Sequence, residues 1–459
     1  MNTPEPTTGP ATGSTAPTAT HTAAPTTARD GLPAFTRVLF TDLLGLAHGK
    51  IVPTAQVDEP FHTAITVLCQ GLDLSLVDVE GYGVDVGYPD LEAVTDPSSI
   101  RTGWHDEMAV AMASLVYPTD QRPIPLDARG ALESVIARLG ERGLRAQVGF
   151  ELEFYLLARP AHVVPMERLA VPGHRVYGTE SGADPSGLVF EIIKTAAAAG
   201  IAIEGANAEF DASQVEIPTR YRDALGAADD CFLLREMCRE LADARGMGVT
   251  FMARPFADRV GSGLHTNISL IDADGVNVLA DPSSPHGLSP LAMHCIAGLL
   301  EHHEALAALC APTVNSYRRL RPGMLSGYWA NWGIDNRIST VRIPSARGAA
   351  TRIEHRMADG TASSHLVTAG LLAAMLDGIE RGLLPGEPQR GDGDAEPNTD
   401  RHAPHSLPEA IAALRADGFL GGVLGVDLVR CFTALREAEW NRWLDTVTDW
   451  EQREYGRVY

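Results

Sequence analysis

The sequence predicts an α+β protein in which a small mixed domain precedes a larger one that interleaves helices with strands. Three observations carry that expectation. Val148–Leu157 alternates residue by residue, as a strand does when successive side chains point to opposite faces. Six longer segments repeat apolar residues at three- and four-residue spacing, the pattern of amphipathic helices. Between Phe61 and Pro123, by contrast, short apolar stretches alternate with turn-rich pieces such as Asp85–Asp90 and Thr95–Ser99, which suits a domain of about a hundred residues.

In chain order, residues 1–29 are rich in Thr, Ala and Pro, carry few charges, and lack the basic start and apolar run of a signal peptide. They read as a disordered tail. The first domain is expected over 30–126, with strands at 36–42 and 49–52 joined by a turn at Leu43–His48. Gly45–Lys50 superficially suggests a phosphate loop, but its spacing is one residue short and Ile51 replaces the required Ser or Thr. The second domain, 127–459, is expected to hold helices at 128–143, 185–199, 222–246, 288–309, 361–382 and 422–444. Strands are expected at 148–157, 201–210, 213–217, 248–253, 263–271, 338–343 and 351–356. Residues 385–406 are too rich in Gly, Pro and Asp to be core and read as a polar loop.

The formal net charge of -22 argues against a nucleic-acid backbone or an anionic membrane as partner. No apolar run approaches the length that spans a bilayer. Six scattered cysteines without a C-x-x-C pair suit a reducing compartment, so a cytoplasmic protein is expected.

Strand parity places Glu151 and Glu153 side by side, with Phe150, Leu152 and Phe154 on the opposite face. Adjacent carboxylates repel each other unless a cation lies among them, and a divalent metal is the simplest candidate. A lone pair of this kind is more often a solvated strand face; repetition shifts the balance. Glu209 and Glu216 flank a short turn, so a hairpin brings both to one place. His265 follows Gly261-Ser-Gly263 and shares a face with Asn267 and Ser269. Arg352, Glu354 and Arg356 share another, with Ile353 behind. Five glutamates and a histidine suit two hard cations such as Mg²⁺ or Mn²⁺. Arg318, Arg319, Arg337 and Arg342, with Arg352 and Arg356, add guanidinium forks of the kind that grip carboxylates and phosphates; about half of such groups would instead form surface ion pairs. Without a Walker loop or a dinucleotide fingerprint, this mixture points to phosphoryl transfer in a shaped cavity.

On Phe150–Phe154, Ala208–Glu216, Gly261–His265, Asn315–Arg319, Asn336-Arg337 with Arg342–Pro344, and Arg352–Arg356, the chain resembles the glutamine synthetase family, class I type. The resemblance covers nearly all of residues 34–459. It implies an N-terminal β-grasp domain, a catalytic domain built on a curved antiparallel sheet, and stacked hexameric rings (a homododecamer) with active sites between neighbouring subunits. It further implies that Glu153, Glu209 and Glu216 hold one metal ion and Glu151, His265 and Glu354 a second. Gly261 and Arg319 fall at the glutamate site. Arg337, a catalytic residue, and Arg356 face the phosphate and γ-carboxyl end. Ser269, Arg342 and Arg352 lie on the ATP side. The implied chemistry is activation of glutamate by ATP to an acyl phosphate, followed by attack of an amine.

Departures from the family pattern leave activation and metal binding intact and alter the amine side. The flap glutamate, six residues beyond the arginine matched by Arg319, is replaced by Leu325. The Asp-Gly-Ser-Ser ammonium loop is missing; its nearest counterpart, Val79–Gly83, offers Glu80 as the catalytic and amine-binding carboxylate. Asn267 stands where a second histidine is usual, Ser363-Ser364-His365 replaces an Asn-Pro-Tyr segment, and the loop before Leu407 has no tyrosine to adenylylate. These changes resemble the γ-glutamylamine ligases, and among them the actinobacterial γ-glutamylethanolamide synthetases before the polyamine-using relatives. Glutamate, ATP and a small amine, first ethanolamine, are the expected substrates. Ordinary glutamine synthetase activity is disfavoured by the lost flap carboxylate, and a non-catalytic relative by the intact set of metal-ligand positions.

Overall fold

The computed structural model describes residues 31–180 and 182–459; the expected tail at 1–29 lies outside them. A first sheet is formed by β1 (Phe35–Thr41), β2 (Ala47–Pro53), β3 (Phe61–Ala64), β4 (Asp90–Thr95) and β5 (Met108–Val116), in the order β2-β1-β5-β4-β3. Only β1 and β5 run parallel; the other neighbours are antiparallel.

The second sheet is centred on β6 (Arg145–Leu157). Around it lie β7 (Asn207–Ala208), β8 (Gln214–Pro218), β9 (Arg222–Asp223), β10 (Gly248–Thr250), β11 (Leu264–Ile271), β12 (Trp332–Ile334), β13 (Val341–Ile343) and β14 (Ile353–His355). The order is β12-β13-β14-β11-β6-β8-β7, with β9 and β10 also pairing to β6. All its pairings are antiparallel except β12 with β13. Phe150, Leu152 and Phe154 on one face of β6 are buried in the core, which leaves Glu151 and Glu153 on the other.

The helices are α1 (Ala128–Gly140), α2 (Leu188–Ala198), α3 (Ala224–Asp243), α4 (Pro290–Glu301), α5 (His303–Cys310), α6 (Ser364–Arg381), α7 (Leu407–Ala416), α8 (Gly418–Leu424), α9 (Val426–Leu444) and α10 (Asp449–Tyr455). Several starts follow from side-chain caps. The carboxylates of Asp127 and Asp223 and the hydroxyls of Ser289 and Ser363 accept backbone N–H groups of the first turns of α1, α3, α4 and α6. Helix α6 is buried along nearly its whole length and packs against α1, α3 and α4. Among the described residues no single helix is long and apolar enough to cross a membrane. The six cysteines are buried and unpaired.

Three expectations need correction. The helix expected over 288–309 breaks between α4 and α5 at His302, whose ring is drawn between Asp377 (3.0 Å) and Asp417 (2.5 Å). The helix expected over 422–444 starts at Val426, because Gly425 turns the chain through φ 102°, a conformation open chiefly to glycine. The strand expected over 201–210 is reduced to Asn207–Ala208; its earlier part bonds instead to the end of β8 and the residues just after it, through Glu204 N–H to Pro218 O and Arg220 N–H to Ala202 O.

Candidate active site

Two neighbouring groups of acidic and imidazole side chains form on the β6 face turned away from the core. The ligand atoms of Glu153, Glu209 and Glu216 all lie within 4.8 Å of one another, and so do those of Glu151, His265 and Glu354. Sheet register is the cause. His265 of β11 stands opposite Glu151, Glu216 of β8 opposite Glu153, and Glu354 of β14 opposite Asn267. Glu209 closes the tight turn of the β7–β8 hairpin, where its own N–H bonds to Gln214 O at 2.9 Å.

The two groups differ electrostatically. Glu151 accepts from Asn267 Nδ2 at 2.9 Å and pairs with His265 Nδ1 at 3.0 Å. Burial opposes ionisation of Glu151, but His265, Asn267 and Arg356 outweigh it and hold the carboxyl down at about 2. Glu354, fully buried, is gripped by Arg356 and by Arg342 Nη1 (2.5 Å). The other group has weaker company, His265 Nδ1 standing 3.8 Å from a Glu153 oxygen. Glu153 accepts the Gly263 N–H at 2.7 Å and Glu209 the Phe210 N–H at 2.8 Å. Burial, then the charges of Glu151, Glu153 and Glu209, pushes Glu216 up to about 9, and burial with Glu153 raises Glu209 as well. Carboxylates this close resist joint ionisation, and a hard divalent cation is what relieves them. The all-oxygen donor set of the first group and the oxygen–imidazole set of the second both fit such ions.

Arg319 is buried beside this face; Nη1 donates to Met357 O at 2.8 Å and Nη2 to Arg356 O at 3.2 Å. Two glycines let it lie there. A Cβ at Gly261 would stand 2.8 Å from Arg319 Cγ, and one at Gly263 would stand 2.8 Å from both Arg319 Nη2 and His265 Nε2. Arg352 Nε donates to Asn267 Oδ1 (2.9 Å), so a chain of contacts runs Arg352–Asn267–Glu151–His265. Ser269 Oγ donates to Thr351 O at 2.9 Å. Arg342 also reaches Asp335 (2.6 Å). Arg337 is exposed.

Leu325 is half exposed and sits in the left-handed region at φ 51°. Two residues on, its segment packs on the backbone of Arg356 and Met357, where a Cβ at Gly327 would meet Met357 N at 3.1 Å and Arg356 C at 3.3 Å. Glu80 is not gathered with the rest. It lies on an exposed loop, where Arg430 of α9 donates to its backbone oxygen at 2.8 Å and approaches its carboxylate at 3.8 Å. Sequence reasoning did not single out Asp394, whose carboxylate accepts from Gly323 N–H and Trp329 Nε1–H. Its Gly-Asp-Gly-Asp surroundings mark a loop and carry no sign of where that loop lands.

Comparison with known proteins shows the family. The family model for the glutamine synthetase catalytic domain matches residues 125–455. A glutamine synthetase of Methanosarcina mazei is 32% identical over 431 residues, covering 92% of this chain and 94% of that protein. A glutamate–isopropylamine ligase of a Pseudomonas species is 30% identical over 404 residues, covering 86% and 88%. Among solved structures, GmaS without ligand superposes with a TM-score of 0.80 at 31% identity, covering 92% of this chain and 96% of that one. GmaS in complex with ADP gives 0.81 at 30% identity, covering 93% and 97%. With its paired carboxylate groups on one sheet face, a catalytic-domain match and likeness over nearly its whole length, this chain belongs to the glutamine synthetase family.

Proposed function

We propose that this protein joins the γ-carboxylate of glutamate to a small primary amine, ethanolamine in the first place, with cleavage of ATP to ADP and phosphate. The observation that carries the reading is Leu325. In a family whose flap carries a carboxylate to receive ammonium, this chain presents a half-exposed apolar side chain, two residues before the Gly327 that packs on the Arg356–Met357 backbone. The likeness to a glutamate–isopropylamine ligase points the same way.

In this reading a γ-carboxylate oxygen attacks the γ-phosphorus of ATP and ADP departs. The amine nitrogen then attacks the acyl carbon, phosphate leaves, and the nitrogen gives up a proton. Glu153, Glu209 and Glu216 would hold one Mg²⁺ or Mn²⁺ ion, and Glu151, His265 and Glu354 another. Such ions, when bound, neutralise charge on the transferring phosphoryl group. Arg319, in the cradle of Gly261, takes the glutamate α-carboxylate. Arg337 and Arg356 stabilise the γ-carboxyl and phosphoryl oxygens, while Arg342, Arg352 and Ser269 serve the nucleotide. Glu80 acts on the amine of a neighbouring subunit's site in a cytoplasmic, ring-based dodecamer, which agrees with its exposure in the single chain.

The test is ADP release with glutamate and a panel of ethanolamine, ammonium, putrescine and spermine. Ethanolamine is expected to give the highest kcat/KM. Burying its two methylenes against Leu325 contributes about 1–2 kcal/mol, roughly tenfold in affinity. Should ammonium lead, the protein is an ordinary glutamine synthetase, a reading favoured by the Methanosarcina relative. Should spermine lead, it belongs with the polyamine-using ligases.

A further inference from the structure

The flap that carries Leu325 is held in shape from outside itself. Gly323, Leu325 and Gly327 all adopt positive φ, at 79°, 51° and 74°. Glycine accepts that conformation freely, whereas a leucine needs its surroundings to impose it. Burial of the side chain does not, since Leu325 is half exposed. Two other fixtures do. On the inner side, Ser326 is buried and Gly327 is pressed against the Arg356–Met357 backbone, whose carbonyls accept the Arg319 guanidinium. On the outer side, a single carboxylate bridges both ends of the flap. Asp394 Oδ2 accepts the Gly323 N–H at 2.9 Å and Oδ1 accepts the Trp329 indole N–H at 3.1 Å.

Asp394 is itself well anchored. Asp392 Oδ1 accepts the N–H groups of Asp394 (3.0 Å) and Ala395 (3.1 Å). Further along the same loop, Ala330 N–H bonds to Arg401 O at 3.0 Å and Ala403 N–H to Tyr328 O at 2.7 Å, fastening the stretch after the flap. We propose that Asp394 is a positioning residue that clasps the 323–329 loop, fixes Leu325 at the amine end of the site and thereby sets amine selectivity. The inference rests on the ligase reading above. It assigns to the 385–406 loop a task in choosing the second substrate.

Two measurements on Asp394→Ala, Asp394→Asn and Trp329→Phe test it. The first is hydrogen–deuterium exchange of the intact protein, which needs no substrate. Losing charge-assisted hydrogen bonds should speed exchange of the 323–327 amides by about tenfold in Asp394→Ala, with β6 and β11 unchanged. The second is steady-state kinetics. The KM for the amine should rise by about tenfold while KM for glutamate, KM for ATP and kcat at saturating amine stay within about twofold, a split that general loss of structure would not give. Trp329→Phe, which removes one of the two bonds, should shift both measurements in the same direction by less. Unchanged exchange in both Asp394 variants overturns the clasp; faster exchange with an unchanged amine KM overturns its role in selectivity. If wild-type protein prefers ammonium, the ligase reading falls, and the exchange rates together with the ammonium KM of the same variants still decide the positioning role.

Discussion

Replacing Glu216 by glutamine should stabilise the metal-free protein and at the same time weaken its response to metal. The oxygens of Glu153, Glu209 and Glu216 lie within 4.8 Å of one another. Two unit charges at that distance repel by about 3 kcal/mol at an effective dielectric constant near 20. The protein relieves this by holding Glu216 protonated, its carboxyl pushed up to about 9 by burial and its neighbours. Protonation has a cost of its own, because the unfolded chain ionises at the ordinary value of 4.5. From there to pH 7 the cost is about 1.4 kcal/mol per pH unit, roughly 3 kcal/mol, and about 2 once part of the burden is shared with Glu209. The sign follows: the penalty is absent below the unfolded value, grows as pH rises above it and levels off beyond the folded value. A neutral amide of the same shape removes it. In chelator at pH 7.5 the Glu216→Gln protein should therefore melt about 2 °C higher than wild type, with the advantage vanishing near pH 4.5. With Mg²⁺ the order reverses, since an amide is a weaker ligand and the metal-linked stabilisation, about 2.7 kcal/mol at a hundredfold excess over Kd, shrinks. Calorimetric melting with chelator and with Mg²⁺ decides the matter. A variant that is less stable without metal, or that gains as much from Mg²⁺ as wild type, refutes the reasoning.

Other outcomes follow from neighbouring geometry. Gly263→Ala places a methyl 2.8 Å from both Arg319 Nη2 and His265 Nε2, and overpacking of about 1–3 kcal/mol should lower kcat/KM for glutamate by roughly 10- to 100-fold; normal glutamate kinetics would contradict the cradle. Leu325→Glu returns a carboxylate to the flap and should narrow the preference for ethanolamine over ammonium; an unchanged ratio of the two kcat/KM values removes Leu325 from amine choice. His302 loses charge stability to burial but regains more from Asp417 and Asp377, so its proton is held more tightly in the folded state. That stabilisation is complete below its ordinary value and fades as pH rises through the folded one, so His302→Gln should cost more melting temperature at pH 6 than at pH 9. The adjacent His303, pushed down to about 4 by burial, carries the opposite sign: its contribution is present near neutrality and lost in acid.

The carboxylate face was legible because strand parity leaves no freedom. Once Val148–Leu157 is a strand, Glu151 and Glu153 must share a side, and the Glu209–Glu216 spacing suits a hairpin. Dividing the six groups into two sets came from the family resemblance, since no spacing along the chain reports which strands become neighbours. The break at His302 stayed hidden for a related reason. Apolar periodicity runs straight through 288–309, while the side chains that flank the ring belong to Asp377 of α6 and Asp417 ahead of α8. Short helices such as α7 and α10 carry too few turns to show a period. Asp394 illustrates the limit most clearly. A loop of Gly, Pro and Asp announces only that it is polar, and its landing point is decided by hydrogen bonds to residues some seventy positions away.

The unequal anchoring of the two halves of the site bears on how this scaffold can change. Glu151, Glu153, Glu216, His265 and Glu354 ride on β6, β8, β11 and β14, each hydrogen-bonded to a strand on either flank. Moving any one of them disturbs two ladders. Leu325 rides on a short loop whose outer support is one aspartate. On the proposed reading of Leu325 and Asp394, a combinatorial library confined to 322–327 and 392–395 would explore new nucleophiles while leaving the carboxylate face untouched, and drift within a lineage would find the same path open. On that reading, acceptor range is the trait this architecture leaves free to wander.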